Sequence, residues 1–595
     1  MKKTVNSIRE SFSETPHAPF IFFLFCWAIL SFEFAAFYLV GNLNYLSVFS
    51  NIMLGVTDAL LILSPYFLLK PKWRWSVVLP MAILPVFLYA NIQYIRNFND
   101  TMGFTMMFGV QNATNMIWSG VAASMRWVDL CFAVPFLIFF VGYFKYIGRI
   151  SKKREKFPVR FKWVAFGIAV LCFIAQQLFL VKVFYNEFDN NPYKDPSIEK
   201  EKFHYNKLKY MERRYNLQYY GFFPYISMQI YNYVKPKYHE MRPDDVKEMN
   251  EFLSRPLLPR LVADSVDNKG KNVILVIVES LNSTVLDAKV KGSEPALPYL
   301  TSLLNDTAVI MARNMVTQVG IGRSSDGQLM YQTGLLPLNN DAFSMKYPDG
   351  DYPSLAKAMG VEGLEFNPGP PMQWNHIPVS KSFGNKFFGG VDDESKVPDH
   401  SLDAYLFNRA IDNFPTDKRF VAVICTVDSH DPYVSYDGVR TSVSEDSSYL
   451  ENEQIYLEKM RQFDRALEKF MADLKAKNLY DNSVIFIVSD HNVRESTLAG
   501  TKTLNTIYIP FIIINSGIEF RTDRQIGQID VFPTILDVMG EAENYHWKGF
   551  GTSMLRNHAL QPDAPEVKIE KPRAYPLAEL WRLSEEMVSG GAYVK

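Results

Sequence analysis

Cysteine and net charge are both scarce in this chain. Only four of its 595 residues are cysteines, which excludes a small scaffold held together by disulfide bonds. Its 62 Lys and Arg residues are balanced by 63 Asp and Glu residues, so the formal net charge is −1 and the bulk positive charge of a nucleic-acid-binding protein is missing. Charged residues make up only 21% and hydrophobic residues 48%, which excludes an intrinsically disordered chain.

Long apolar stretches are concentrated in the first third of the chain. Each has about the 20 apolar residues that a helix needs to cross the hydrocarbon of a bilayer. They run over residues 18–40, 49–69, 75–95, 127–148 and 162–184. Three of the four cysteines, Cys26, Cys131 and Cys172, fall within them. The sequence therefore predicts a transmembrane module of five helices over residues 1–185.

The basic residues of the short loops are distributed unevenly. Lys and Arg precede the first stretch and fill the loops between the second and third and between the fourth and fifth. The loop between the first and second stretches has none, and that between the third and fourth has only Arg96 and Arg126. Because cytoplasmic loops carry the excess of Lys and Arg, we expect a cytoplasmic N-terminus and an external location for everything after residue 185.

Residues 186–268 mix charged residues with many tyrosines, which favour the boundary between membrane and water. We interpret this segment as a juxtamembrane helical connector. A solvated helical linker that packs on the next domain is the alternative.

The hydrophobic pattern changes after residue 268. Continuous apolar runs, typical of buried parallel strands, occur at 272–279, 420–426, 483–488 and 507–514. Helical patterns occur at 353–359, 401–414, 452–477 and 530–539. This alternation predicts one α/β domain over residues 269–595, with a doubly wound, mostly parallel sheet. Ligands of such sheets bind at the carboxyl ends of the strands.

Polar side chains follow three of these strands at that edge. Glu279 ends the first, Asp428 and His430 follow the second, and Asp490 and His491 follow the third. Any one of these acids, taken singly, is more commonly a helix cap or a loop hydrogen-bonder. Together they indicate a metal site.

A glycine-containing loop, residues 318–326, opens a predicted helix at 324–332. Ser324 or Ser325 would lie at the positive end of that helix dipole, which favours an anion or a developing alkoxide. Carboxylates, an imidazole and a hydroxyl at one sheet edge suit one divalent ion. The ion would be Mn²⁺, Mg²⁺ or Zn²⁺, and it would activate the hydroxyl as a nucleophile.

Five segments occur in an order that resembles the alkaline phosphatase/sulfatase superfamily. They are Asn272–Glu279, Gly322-Arg-Ser-Ser-Asp326, His430-Asp-Pro-Tyr433, Ser489-Asp-His491 and Gln528-Ile-Asp-Val-Phe-Pro-Thr534. Five spans followed by an external domain resemble the lipoteichoic acid synthase branch, which contains phosphoglycerol transferases. The resemblance covers essentially the whole chain. It implies a multi-pass protein of the bacterial cytoplasmic (inner) membrane, with its catalytic domain on the extracytoplasmic side.

The resemblance also implies roles for individual residues. The positions that match the branch's metal ligands are Glu279, Ser324, Asp490 and His491. Ser324 stands in the place of the nucleophilic threonine, and one divalent ion is expected, with Mn²⁺ or Mg²⁺ favoured and Zn²⁺ as the alternative. The residues expected to act on or bind substrate are His430, Trp374, His376, Arg323 and Asp428. Besides Ser324, two positions depart from the branch: His376 replaces a phosphate-binding arginine, and Asn492 replaces a glycine.

The implied reaction is a double displacement. Ser324 attacks the phosphorus of an outer-leaflet phospholipid that carries a phosphoglycerol-like headgroup, and diacylglycerol leaves. A hydroxyl of a glycan or glycolipid acceptor then takes the group from the phospho-seryl intermediate. No nucleic acid is expected as a partner.

Other functions are open from the residues alone. A phosphoethanolamine transferase and a sulfuric or phosphoric ester hydrolase share the expected fold, and a two-metal phosphodiesterase would recruit Asp428, His430 and His376. The sulfatase alternative is weak, because Ser324-Ser-Asp-Gly-Gln328 lacks the Pro and Arg that sulfatases need there. Phosphoethanolamine transferases usually carry several disulfides, and only Cys425 lies outside the spans. A membrane receptor or transporter with an inert external domain would leave the clustered polar residues unexplained.

Overall fold

The structure is a computed structural model. It describes residues 18–41, 48–98, 101–104, 121, 124–150, 158–189, 217, 221–234, 238–262, 267–290, 293–305, 308–338, 341–391, 394–433, 448–494, 498, 504–557 and 575–590. These residues divide into two compact units, one up to residue 234 and one from residue 238 onward. Most of the predicted connector between 190 and 220, and the basic residues before 18 and at 151–157, lie outside the described residues.

The first unit is a bundle of apolar helices. They are α1 (Ala18–Val40), α2 (Val48–Leu63), α3 (Pro65–Leu68), α4 (Val78–Phe98), α5 (Leu130–Ile150), α6 (Val159–Asp189) and α7 (Phe222–Val234). Short 3₁₀ turns, Pro71–Val77 and Trp127–Asp129, lead into α4 and α5. At Gly55 of α2 an added Cβ would lie 2.7 Å from the backbone nitrogen of Ala35. A small residue therefore lets α1 and α2 approach closely, as in helix pairs within membranes.

Four of these segments are long and apolar enough to cross a membrane. They are Pro19–Val40, Val48–Leu68, Pro71–Arg96 and Val159–Lys182. The expectation of five spans is thus met only in part. The remaining stretch forms α5, whose described apolar part, Trp127–Tyr143, is shorter than a span because the side chains of 144–150 lie outside the described set.

A polar cluster links three helices inside this unit. Asp58 of α2 accepts hydrogen bonds from the Tyr38 hydroxyl of α1 (2.7 Å) and from the Gln176 side chain of α6 (3.2 Å). All three side chains are buried. Paired polar groups of this kind satisfy a carboxyl group within an apolar bundle.

The second unit is an α/β domain. Its helices are α8 (Pro243–Leu253), α9 (Pro298–Leu304), α10 (Ser324–Thr333), α11 (Phe343–Lys346), α12 (Leu355–Met359), α13 (His376–Ser382), α14 (Leu402–Asn413), α15 (Glu451–Ala476), α16 (Val531–Val538) and α17 (Tyr575–Ser589). Its strands are β1 (Asn272–Val278), β2 (Lys289–Val290), β3 (Glu294–Pro295), β4 (Ile310–Val316), β5 (Gly363–Asn367), β6 (Asn385–Gly389), β7 (Val421–Cys425), β8 (Ser483–Ser489), β9 (Tyr508–Ile514), β10 (Phe520–Thr522) and β11 (Ile526–Gly527).

Nine of these strands form one sheet, in the order β10-β4-β9-β8-β1-β7-β5-β6, with β11 also paired to β4. Every pairing is parallel except those of β9, which runs antiparallel to both β4 and β8. Because β4 and β8 are both antiparallel to β9, they run parallel to each other. The carboxyl ends of β4, β8, β1 and β7 therefore lie at the same edge of the sheet. The small strands β2 and β3 pair separately.

Successive residues of β1 face opposite sides of the sheet, as a pleated strand requires. Val273, Leu275 and Ile277 join a core that includes residues of α10, α16 and α17. Ile274 and Val276 join a second core that includes residues of α9, α14 and α15. Helices therefore cover both faces, and this explains why all seven residues of the strand are buried and apolar apart from the first.

Candidate active site

Three acidic and imidazole groups meet where two central strands end. Glu279 directly follows β1, and Asp490 and His491 directly follow β8, which pairs with β1 in parallel register. One ligand atom from each of these three residues lies within 4.8 Å of the other two, and all three side chains are buried. The strand order thus brings Glu279 together with Asp490 and His491, which lie far from it in the sequence.

A serine at the start of α10 joins this cluster. The Ser324 hydroxyl oxygen lies 3.4 Å from Oε2 of Glu279 and 3.3 Å from Nε2 of His491. The neighbouring Ser325 hydroxyl instead donates to the carbonyl oxygen of Gly322 (2.9 Å). Of the two serines, only Ser324 has its hydroxyl against the carboxylate and the imidazole.

Ser280 donates a hydrogen bond to one oxygen of each carboxylate, Glu279 and Asp490. Its hydroxyl donates to Oε1 of Glu279 (2.6 Å), and its backbone N–H donates to Oδ1 of Asp490 (2.8 Å). Its φ of 52° lies in the left-handed region, which is uncommon for a residue with a side chain. This turn brings the N–H and the hydroxyl of one residue onto two acids, and leaves Oε2 of Glu279 and Oδ2 of Asp490 for a ligand.

The His491 ring is oriented by the backbone. Its Nδ1 lies 3.0 Å from the carbonyl oxygen of Asn492 and 3.1 Å from a guanidinium nitrogen of Arg323, and its Nε2 lies 3.3 Å from Oδ2 of Asp490. The Arg323 guanidinium donates to the same Asn492 carbonyl (3.1 Å). Arg323 also has a positive φ of 45°, so the residue that precedes Ser324 carries backbone strain of about 1–3 kcal/mol.

The protonation behaviour of these groups fits a cation site. Burial raises the pKa of Glu279, and burial together with the Glu279 charge raises that of Asp490 well above its usual range. Burial and the nearby Arg323 charge hold the pKa of His491 well below its usual range. Without a cation the two buried carboxylates repel each other, and a divalent ion would favour the ionised form of both acids and the neutral form of the imidazole, which are the forms that bind metals. The donor set of oxygens and one nitrogen suits such an ion.

The loop before α10 is braced by a buried acid. Oδ2 of Asp326 accepts the backbone N–H groups of Gly320 and Gly322, each at 2.9 Å, and burial raises the Asp326 pKa to about 7. An added Cβ at Gly327 would lie 2.8 Å from the carbonyl oxygen of Asp490. Glycine at 327 therefore allows α10 to approach the end of β8 closely enough for Ser324 to reach the cluster.

His430, Asp431 and Arg494 form a second group of ionisable side chains. The His430 side chain is about one-third exposed, and its Nδ1 faces the Asp431 carbonyl and carboxylate oxygens. Arg494, whose side chain is 18% exposed, lies 3.5 Å from the Asp431 carboxylate. Burial lowers the pKa of Arg323 to about 10, and the positive charge of Arg494 adds to that shift.

Two of the predicted substrate residues make well-defined contacts within the protein. The Asp428 carboxylate caps α14, because it accepts hydrogen bonds from the Ser401 hydroxyl (2.6 Å) and from the N–H groups of Leu402 (3.0 Å) and Asp403 (3.1 Å). His376 is buried and stacks on Phe387 with ring centroids 5.4 Å apart.

The remaining predicted substrate residue is Trp374, which is half-buried in a 3₁₀ turn, Gln373–Asn375. Sequence reasoning missed Ser280 and Arg494. Both lie within three residues of a predicted ligand, and proximity in the sequence was the only available signal, because neither a positive φ nor an ion pair with Asp431 is visible in the residue types.

Two protein-family models match this chain. The lipoteichoic acid synthase N-terminal domain matches residues 1–241, and the sulfatase model matches residues 271–541. Lipoteichoic acid synthase 1 of Bacillus subtilis is 26% identical over 569 residues, which cover 88% of this chain and 84% of that protein. Lipoteichoic acid synthase of Staphylococcus aureus is 26% identical over 562 residues, which cover 86% and 82% of the two chains.

Among solved structures, the lipoteichoic acid synthase LtaP of Listeria monocytogenes matches with a TM-score of 0.40 and 20% identity, over 49% of this chain and 78% of that one. The N-terminal part of the chain is therefore similar to the membrane domain of lipoteichoic acid synthases, and its C-terminal part is similar to sulfatases. Over most of its length the chain is similar to lipoteichoic acid synthases.

Proposed function

We propose that the protein transfers a phosphoglycerol-like headgroup from an outer-leaflet phospholipid to a hydroxyl of a glycan or glycolipid. The observation that carries this proposal is the Ser324 hydroxyl, which lies within 3.4 Å of both Glu279 and His491 at the carboxyl edge of the sheet. The Bacillus subtilis and Staphylococcus aureus relatives are lipoteichoic acid synthases, which supports the same class of donor and acceptor.

The proposed metal ligands are Glu279, Ser324, Asp490 and His491. Mn²⁺ or Mg²⁺ is favoured over Zn²⁺, because the donors are mainly hard oxygens. A bound divalent ion would stabilise negative charge on the phosphoryl oxygens and lower the pKa of the attacking hydroxyl.

In the first half-reaction, the Ser324 oxygen forms a bond to phosphorus and its proton passes to solvent. The bond between phosphorus and the diacylglycerol oxygen breaks, and protonated His430 gives that oxygen its proton. In the second half-reaction, neutral His430 accepts the proton of the acceptor hydroxyl, whose oxygen attacks the phospho-seryl group. The bond to Ser324 then breaks and the serine takes a proton from solvent, so both residues return to their starting states.

Arg494 is the proposed contact for a phosphate oxygen. It is partly exposed and held by Asp431 beside the proposed proton carrier, whereas Arg323 is already engaged with the Asn492 carbonyl. Trp374 is proposed to line the headgroup pocket. Asp428 and His376 remain proposed substrate residues, and their contacts within the protein would hold them in position.

The test is transfer of a radiolabelled headgroup by the purified full-length protein in mixed micelles. We expect label from phosphatidylglycerol, but not from phosphatidylethanolamine, to appear on a glycolipid acceptor, with one diacylglycerol released per group transferred. Preference for phosphatidylethanolamine would establish the phosphoethanolamine transferase alternative. Release of free glycerol phosphate at the same rate with and without acceptor would establish hydrolysis.

The proposed location is the bacterial cytoplasmic membrane, with the N-terminus inside and the catalytic domain outside. Reporter fusions after Asn99 and after Tyr185 should both give an external signal. A cytoplasmic signal at either point contradicts the five-span arrangement.

A further inference from the structure

A groove in the membrane unit lies beside the end of α4 and the start of α5. It has a volume of about 550 Å³, within the usual range of about 300–1,000 Å³ for a small-molecule site. Its wall includes Val86 and Tyr89 of α4 and Trp127, Ala133 and Phe136 from the start of α5 and the turn before it. All of these residues lie within the first unit.

One end of the groove is lined by Asp129, whose carboxylate forms an ion pair with Arg96. Both Asp129 carboxylate oxygens accept hydrogen bonds from the Arg96 guanidinium, at 2.6 and 2.9 Å. Oδ2 of Asp129 also accepts the Gln93 amide (3.2 Å) and the Tyr89 hydroxyl (3.4 Å). The pair is about nine-tenths buried on each side, so the Asp129 charge is neutralised within the protein.

Arg126 is the other charged residue that lines this end of the groove. It lines the groove, its side chain is exposed, and it makes no ion pair with any residue in the described part of the chain. It is also the only Lys or Arg between Phe98 and Trp127 in the sequence. Among the described residues that line the groove, the charged ones are Arg126 and Asp129, and Asp129 is paired with Arg96, so Arg126 supplies a positive charge at one end beside a mainly apolar wall.

The length of the groove corresponds to one leaflet. On the α5 side the lining runs from Trp127 to Phe136, and rises of about 2.0 Å per residue in the 3₁₀ turn and 1.5 Å in the helix give about 15 Å. On the α4 side the lining residues, Pro85 to Tyr89, cover about 6 Å of this length. Half of a hydrocarbon core of about 30 Å is also about 15 Å. Trp127, which is 89% exposed, marks the end where an indole ring favours the interface between membrane and water. A cation at the interface and an apolar channel one leaflet deep match the two parts of a phospholipid.

We propose that this groove binds one anionic phospholipid, with its phosphate at Arg126 and an acyl chain along Val86, Ala133 and Phe136. In the proposed topology the lipid belongs to the outer leaflet. The site is separate from the Ser324 cluster and stands independently of the transfer reaction. Two kinds of anionic phospholipid fit this groove equally well: a donor that is later consumed, and a lipid that stays bound.

The test is native mass spectrometry of the full-length protein in mild detergent with equal amounts of phosphatidylglycerol and phosphatidylcholine of identical acyl chains. We expect one phosphatidylglycerol to be retained in preference to phosphatidylcholine. Arg126→Gln should lower this preference about fivefold, the factor that one basic residue contributes at an anionic surface. Ala133→Trp, which fills the groove, should abolish retention of both lipids.

Two matched variants serve as controls. Arg160→Gln removes another exposed arginine of the same unit, and Gly167→Trp adds an indole at a position of α6 where an added Cβ meets no atom within 4 Å. Both should retain phosphatidylglycerol as the wild type does. Equal retention of the two lipids by the wild type, or the same retention in Arg126→Gln, Ala133→Trp and the controls, overturns the proposal.

Turnover of labelled phosphatidylglycerol separates these two kinds of lipid. A fall in turnover that parallels the loss of retention identifies a donor on its way to the catalytic domain. Unchanged turnover in Arg126→Gln identifies a resident lipid, and either result keeps the site. A protein that retains lipid but transfers no headgroup refutes the proposed reaction and leaves the groove assignment standing.

Discussion

Nε2 of His491 lies 3.3 Å from the hydroxyl oxygen of Ser324, although the two residues are 167 positions apart in the sequence. Ser325, the next residue, has its hydroxyl on the carbonyl oxygen of Gly322 at 2.9 Å. The structure thus distinguishes two adjacent serines that the sequence offered as alternatives.

Ser324→Ala should abolish headgroup transfer, while Ser325→Ala should retain most of it. Removal of a nucleophile is expected to lower kcat by about 10³-fold or more, whereas a hydroxyl at a helix start contributes only about 1 kcal/mol to stability. The measurement is turnover of labelled phosphatidylglycerol, with thermal unfolding as the control for folding. Rapid quenching should also yield a phosphorylated peptide within residues 313–346, and a phosphate on Ser325 would contradict the assignment.

His491→Ala should remove the metal. Elemental analysis of the purified protein should find about one Mn²⁺, Mg²⁺ or Zn²⁺ per wild-type chain, because a site of this kind binds one ion through deprotonated ligands. The variant should bind less than a tenth of that amount, and Glu279→Gln should show a similar loss. His546→Ala, at an exposed histidine of the same domain, should keep the wild-type content. Equal metal in His491→Ala and His546→Ala would refute the ligand set.

His376→Phe should make the protein less sensitive to acid. Burial lowers the pKa of His376 to about 4, below its unfolded value of about 6.5. Its stabilising contribution is therefore complete above about pH 6.5 and is lost as the pH falls toward 4. Between pH 7.5 and pH 5 the wild type should lose about 2 kcal/mol through this residue, and the variant, which keeps a ring against Phe387, should not.

The checking experiment for His376 is denaturant unfolding of both proteins at pH 7.5 and pH 5. Parallel losses would show that the histidine does not titrate as a buried group. Turnover at pH 7.5 distinguishes its two possible roles: near-normal KM in His376→Phe supports a packing role, and a KM raised tenfold supports the substrate contact expected from the sequence.

Arg494→Gln should raise KM for phosphatidylglycerol by about tenfold and change kcat less. A charge-assisted hydrogen bond contributes about 1.5–3 kcal/mol, and 1.4 kcal/mol corresponds to a factor of ten. Arg494→Lys should recover part of the loss, because it keeps the charge but not the planar fork. Arg465→Gln, at an exposed position of α15, is the matched control and should be unaffected. The same kinetics in both glutamine variants would remove Arg494 from the substrate pocket.

The part of the site that was predictable depends on strand topology. Glu279, Asp490 and His491 come directly after apolar runs, and parallel neighbouring strands must end at the same edge, so their meeting follows from the pattern. The strands at 272–278, 421–425, 483–489 and 508–514 were predicted within two residues. The antiparallel direction of β9 was not predictable, because an apolar run has no direction.

Other features depend on tertiary contacts that residue types do not encode. β4 contains Arg313 and Asn314, which interrupt its apolar run, and it was not predicted as a strand. Asp428 was predicted as a site residue because it follows β7, and its hydrogen bonds with the residues that start α14 were not predictable from the sequence. Ser280 was missed because its role depends on a left-handed backbone rather than on its side chain alone.

The order of strands also constrains when the protein becomes reactive during synthesis. The Ser324 hydroxyl reaches its partners through α10, which follows β4, and β4 is connected to β8 only through β9, a strand made from residues 508–514. A ribosome that has completed Ser324 must therefore add nearly two hundred further residues before this part of the sheet can close, and contacts so distant in sequence form late. If Ser324 is the nucleophile, as proposed, a nascent chain should therefore be unable to react with a lipid before residues 508–514 have joined the sheet.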